Sequence, residues 1–192
     1  MARPLTFRLC VALLALLPCA TGAATWEGDQ RAGPLRFVAT QAGAKFPGHF
    51  GEFRVHFDFD PAAPAKGRLD VTVATKSADT ADRERDEVLH GTDFFWVEHF
   101  PEAKFHADGF KRDGKGWIAA GQMTLRGVTQ AVAVRFEIKP KAGRLGMKGG
   151  VTLHRLEFGV GQGDWAETTW VGDAVQVAFD LSLQPATAAA GP

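Results

Sequence analysis

FRVHFDFD, residues 53–60, places an apolar side chain at every odd position (Phe53, Val55, Phe57, Phe59) and a polar one at every even position. A helix, with 3.6 residues per turn, would scatter these apolar groups around its circumference; a strand gathers them on one face and gives the other to water. The turn-forming DPAAPAKG (60–67) follows, and Leu69, Val71 and Val73 then resume the alternation. The pair reads as an antiparallel hairpin with one buried face.

The same period recurs on both sides of this hairpin. It appears in LRFVAT (35–40), KFHADGFK (104–111), WIAAGQMTL (117–125), AVAVRFEI (131–138), MKGGVTLHRL (147–156), and finally in Val175, Val177, Phe179, Leu181 and Leu183. These segments predict eight strands, with no repeat or low-complexity linker to divide them. An antiparallel sheet of eight strands can close with room for one ligand, so the expected fold is all-β: an eight-stranded antiparallel lipocalin-like barrel. A two-sheet sandwich is the alternative. One segment, residues 80–90, reads as a short helix capping an end of the barrel. Asp79 or Thr80 can cap its N-terminus, Asp82 and Glu84 suit the positive end of its dipole, and Gly91 stops it.

The ends of the chain read differently. Arg3 and Arg8 precede the apolar run LCVALLALLPCA (9–20), and small residues follow in TGAAT. This is the pattern of a cleaved signal peptide over residues 1–23, which predicts a periplasmic, soluble protein starting near Ala24. A lipid anchor on Cys19 is the weaker reading, because Pro18 before the cysteine fits a lipoprotein cleavage site poorly. The barrel domain is expected over 24–185, and PATAAAGP closes in a flexible tail, 186–192.

Composition excludes several function classes. Cys10 and Cys19 both lie in the leader, so the mature chain has no thiol for a disulfide, a redox centre or a Cys-based zinc site. Without Arg3 and Arg8, 20 basic residues face 22 acidic ones, and no basic stripe supplies the electrostatic attraction that nucleic-acid binding needs. Ser77 and Ser182 are the serines outside the leader, and neither belongs to a nucleophile elbow. The six histidines (His49, His56, His90, His99, His106, His154) share no short metal-ligand spacing, so no metal site is expected. His56 and His106 occupy the polar parity of their strands and should face solvent. The glycine-rich stretch 159–163 is followed by no helical pattern and reads as a turn between strands, not as a phosphate loop. No enzyme activity and no bound cofactor are expected.

Fifteen Phe and five Trp come with no Tyr, an aromatic set without a single phenol hydroxyl. Such a set suits a bland core or an apolar cavity equally. The strand parity points Phe37, Phe53, Phe57, Phe105, Trp117, Met123, Phe136, Phe158 and Phe179 inward as candidate cavity lining. The stretch RERDEVLHGTDFFWVEHFPEAKF (83–105) is dense in charge in its first half and in aromatics in its second, and it adds Leu89, Phe94 and Phe95 to the lining. Two charged residues lie among apolar neighbours, Asp86 in the helix and Arg155 at the end of a strand. They are read either as a buried ion pair anchoring the helix, or with Arg155 or Arg85 holding the phosphate or carboxylate head group of a ligand.

Five motifs in order resemble the YceI-like proteins: GAKFPGHFGEF (43–53), RERDEVL (83–89), DFFWVEHFPEAKF (93–105), GQMTLRGVTQAV (121–132) and HRLEFGVG (154–161). The resemblance covers essentially the whole chain after the leader. It implies a periplasmic lipocalin-like barrel whose elongated hydrophobic cavity takes up a polyisoprenoid or similar amphiphile. Many relatives carry a histidine where this chain has Val88, and His90, two residues on, does not take over that role. Similar sequences fused to membrane cytochrome b domains point to isoprenoid quinones, and so to transient contact with a membrane or a membrane cytochrome b; a dimer is left open. The function implied is an isoprenoid-lipid carrier. The competing readings are an accessory to a quinone redox system and a filled-core structural barrel.

Overall fold

A computed structural model describes residues 24–186. The leader expected over 1–23 and the tail from 187 onward lie outside the described residues. Twelve antiparallel strands form one sheet: β1 Ala24–Asp29, β2 Leu35–Gln41, β3 Ala44–Phe50, β4 Phe53–Phe59, β5 Arg68–Ala74, β6 Ala78–Asp79, β7 Glu102–Asp108, β8 Lys111–Asp113, β9 Gly116–Leu125, β10 Val128–Lys141, β11 Arg144–His154 and β12 Ala174–Pro185. Among the described residues one α-helix, α1 Arg83–His90, lies between β6 and β7.

Twelve strands make eight staves, because several are halves of one bent stave; β8, for one, continues β7 along β9, with Lys104 opposite Thr124 and Lys111 opposite Ile118. β1 and β2 run along the same edge of β12, with Trp26 opposite Pro185 and Phe37 opposite Val177. The break between them is bridged by Ser182 and Asp180, whose amides donate to the carbonyls of Ala32 (2.8 Å) and Pro34 (3.3 Å). β3 and β4 follow the same path on the other side, with Phe50 opposite Leu35 and Arg54 opposite Asp29. β5 and β6 continue it, pairing Val73 with Phe53 and Ala78 with Phe50. The ring is closed by β7, β9, β10, β11 and β12, with β12 returning to β1 and β2. The sheet is therefore a closed eight-stave antiparallel barrel, as the period-two alternation predicts.

Hairpin register is set by tight turns. Ala42–Gly43 and Ala142–Gly143 both have positive φ at the two central positions, the twist that two-residue hairpins need. β7 shows the cleanest alternation, Ala103, Phe105 and Ala107 being buried between exposed neighbours. The helix is shorter than its sequence signal. Asp82 caps it by accepting from the Arg85 amide, while Thr80 donates its amide and hydroxyl to Asp86. α1 and the irregular segment 91–101 span the gap where β6 and β7 part, and together with residues 155–172 they cover that end of the barrel.

Candidate ligand cavity

The inward faces of the staves enclose an apolar cavity of about 440 Å³ in one half of the barrel. It begins at α1, the tip of the β2–β3 hairpin and the 155–172 segment. It ends on a floor formed by the other half. Its walls come from the inward positions of nearly every stave: Phe37 and Ala39, Phe53 and Val55, Val71 and Val73, Phe105, Met123 and Leu125, Val132 and Val134, Met147 and Val151, Val177 and Phe179. The polar lining is concentrated near the opening, where Gln41, Asp82, Glu84 and Arg85 lie beside Phe46, Val88 and Leu89.

Of the lining expected from sequence, Phe37, Phe53, Leu89, Phe94, Phe95, Phe105, Met123, Phe158 and Phe179 border this cavity. Phe57, Trp117 and Phe136 do not. They point inward as expected, but from the closed half, where inward means into a packed floor. Phe57 stacks on Phe59 at 5.3 Å and meets Phe136 edge-on at 5.7 Å; Trp117 stands edge-on to Phe59 at 5.0 Å, and Phe110 contacts Phe57, Phe59 and Phe136. Alternation fixes the face a residue occupies and says nothing of its depth. Phe59 and Phe110 complete the floor, and Phe46, Phe50, Trp165 and Val171 complete the lining; Phe59 was read as part of a buried strand face, and the other five were not singled out by the sequence reading. Phe46 and Phe50 share the alternation of GAKFPGHF with Gly48, over which the Phe37 ring lies: a Cβ there would come within 2.2 Å of it. Trp165 and Val171 belong to irregular backbone, where no period could mark them.

The expected Asp86–Arg155 ion pair is not formed. Asp86 is committed to the start of its own helix, accepting from Thr80 at 2.9 and 2.7 Å. Arg155 is 4% exposed and gives its protons to four backbone carbonyls: Gly172 (3.1 Å), Val160 (2.9 Å), Trp165 (2.7 Å) and Val171 (2.7 Å). A guanidinium fork satisfies several buried acceptors at once, which suits an irregular segment that has no ladder to pair with. Burial pushes the Arg155 group down from its usual value, and Asp173 partly offsets this. Arg155 thus clasps the 155–172 segment over the cavity with four of its five N–H donors, which makes its main task structural.

Arg85 fits the head-group role better. Its side chain is 23% exposed at the mouth, with Nη2 2.7 Å from Asp82 Oδ2 and the guanidinium carbon 4.2 Å from the centre of the Phe46 ring. Its Nε is buried and meets no acceptor among the described residues. A buried N–H left without an acceptor costs about 1–3 kcal/mol, which an acceptor on a ligand would recover. Val88 also borders the mouth and is 39% exposed. His56 and His106 lie on the outside of the barrel as expected, His106 Nδ1 being 2.7 Å from Asp70.

Residues 26–183 match the family model described as a YceI-like domain. A UPF0312 protein of Photorhabdus laumondii is 38% identical over 91 residues, 47% of this chain and 47% of its own length. UPF0312 proteins of Yersinia are 37% identical over the same share, so the matched stretch is about half the length of these curated relatives. Among solved structures, BcnA of Burkholderia cenocepacia superimposes with a TM-score of 0.77 at 28% identity, over 83% of this chain and 99% of its own. A polyisoprenoid-binding domain from Saccharophagus degradans, implicated in plant cell wall breakdown, shares the fold with a TM-score of 0.61 at 12% identity, over 85% of this chain and 99% of its own.

Proposed function

The chain belongs to the YceI-like family, and on that premise we propose that it is a non-catalytic carrier of an isoprenoid amphiphile, a polyprenyl lipid or isoprenoid quinone held in the barrel cavity. The observation that carries this reading is the pairing of an apolar cavity with an Arg85 Nε–H that lacks an acceptor at its mouth. Each methylene taken from water gains about 0.8 kcal/mol before ordering costs, so an apolar tail supplies affinity with few polar contacts. The head then needs only an acceptor oxygen within reach of Arg85, whose ring-stacked guanidinium is already oriented. The leader-like N-terminus supports a periplasmic location, and the polyisoprenoid-binding neighbour of the same fold supports the choice of tail. A quinone carbonyl is one such acceptor. With a quinone as cargo the protein serves a membrane redox system, the redox chemistry residing in the ligand.

Native mass spectrometry of protein from its host periplasm, followed by lipid extraction, tests this directly. A stoichiometric isoprenoid adduct is expected. Arg85→Met in the delipidated protein should weaken binding of a prenyl quinone about tenfold without lowering the unfolding midpoint. An empty mass together with no affinity for any prenyl amphiphile overturns the reading.

A further inference from the structure

We infer that the aromatic floor is a length ruler: the cavity accepts a hydrocarbon tail to a depth of about three to four isoprene units, and longer tails gain nothing beyond that point. The inference rests on the amphiphile-binding reading above and specifies its ligand.

The geometry supplies that depth. On β12 the cavity-lining residues run from Val175 at the mouth to Leu181 at the bottom, and Leu183, one inward position further, is fully buried in the floor. At ~3.4 Å per residue that wall is ~20 Å long along the strand, and a strand tilt of 35–45° reduces it to ~15 Å along the barrel axis. An extended isoprene unit adds four chain bonds of ~1.5 Å in a zigzag, or about 4–5 Å. Three to four units fill the depth.

The floor is not a side chain that can swing aside. Phe57 is 0% exposed and packed by Phe59, Phe110 and Phe136, each ring contacting at least one other. Phe136 stands opposite Gly149, where a Cβ would come within 2.8 Å of Phe136, so the neighbouring stave is already pressed against it. Val55, two residues from Phe57 on β4, is the adjacent inward position and already borders the cavity.

The experiment measures the affinity of delipidated full-length protein for prenyl benzoquinones of stepwise tail length, from one isoprene unit to about eight. Each methylene buried is worth about fourfold, so affinity should climb at least tenfold per unit up to three or four units and then level off. Phe57→Ala should move the break to longer tails and Val55→Phe to shorter ones by about one unit; Val55→Phe serves alone if Phe57→Ala does not fold. A rise that continues undiminished to the longest tail, or a break that Val55→Phe leaves in place, overturns the ruler while sparing the carrier. Failure to bind any tail overturns the carrier reading and the ruler with it.

Discussion

Along β12 the inward residues change character with depth: Val175, Val177 and Phe179 are only half-buried, whereas Leu181 and Leu183 are buried. The parity of the strand is the same throughout. What differs is what the residues meet across the barrel. In the mouth half they face a void, and in the floor half they face Phe57, Phe59, Phe110, Trp117 and Phe136 packed against one another. One half carries stability and the other carries room. The division lets a barrel whose described residues contain no cysteine stay rigid around a cavity that a solid core would have filled, because the floor supplies close packing where the mouth half forgoes it.

The sharpest way to break this comparison is to remove one ring from each half. Phe57→Ala should lose about 3–5 kcal/mol of stability in the delipidated protein, the usual cost of deleting a fully packed aromatic. Phe179→Ala deletes a ring that borders existing space, so little new cavity forms. It should lose less than about 2 kcal/mol while weakening prenyl quinone binding more than tenfold. Denaturant unfolding and ligand titration on both variants decide the matter. Equal stability losses would mean that the two halves are packed alike.

The division was not visible in the strand pattern that revealed the barrel. Eight staves could be counted because alternation survives the bends at residues 30–34, 51–52 and 75–77, one half of each bent stave being enough to signal it. Depth leaves no such trace, since Phe53 in the cavity wall and Phe57 in the floor have the same neighbours in sequence: a polar residue on each side and an apolar one two positions away. The clasp was half legible. A charged residue among Leu153, Leu156 and Phe158 signalled burial of Arg155, but its acceptors are carbonyls, which carry no side-chain identity. The tempting partner was therefore a carboxylate, Asp86, and it was the wrong one. Arg85 stood in the sequence only as an alternative to Arg155, since its neighbours Glu84 and Asp86 are charged; its place at the mouth comes from the fold.

Arg155→Met sharpens the comparison at the mouth. It leaves four carbonyls with no donor from Arg155, yet those of Trp165 and Gly172 lie in a segment that can loosen and reach water. The global loss should be about 2–3 kcal/mol, smaller than that of the floor variant, with amide exchange rising first over residues 156–172. Because Asp86 bonds to Thr80 and not to Arg155, Asp86→Asn should add to Arg155→Met within about 0.5 kcal/mol in a thermal-unfolding cycle. Recovery in the double variant would restore the ion pair.

The smallest effect expected separates the halves by pH. Asp173 joins the clasp at the mouth, with Oδ1 accepting from the Leu156 amide at 3.1 Å, Oδ2 2.7 Å from His154 Nδ1 and its carbonyl accepting from the Arg155 amide at 3.0 Å. Burial pushes its carboxyl up, but the Leu156 amide, His154 and the charge of Arg155 outweigh that and hold it below the usual carboxylate value. A carboxyl whose folded pKa is depressed contributes stability that is fully present above its unfolded value, about pH 4, and that is lost as the pH falls through the lower folded value. The aromatic floor has no titrating group of its own. Acid below about pH 4 should therefore raise amide exchange over residues 155–172, corrected for the intrinsic rate, before it raises exchange in β10. For a partly exposed carboxylate the loss should stay within about 1 kcal/mol. Asp173→Asn should remove this selective acid response, and an unchanged response in that variant would assign the sensitivity to another group.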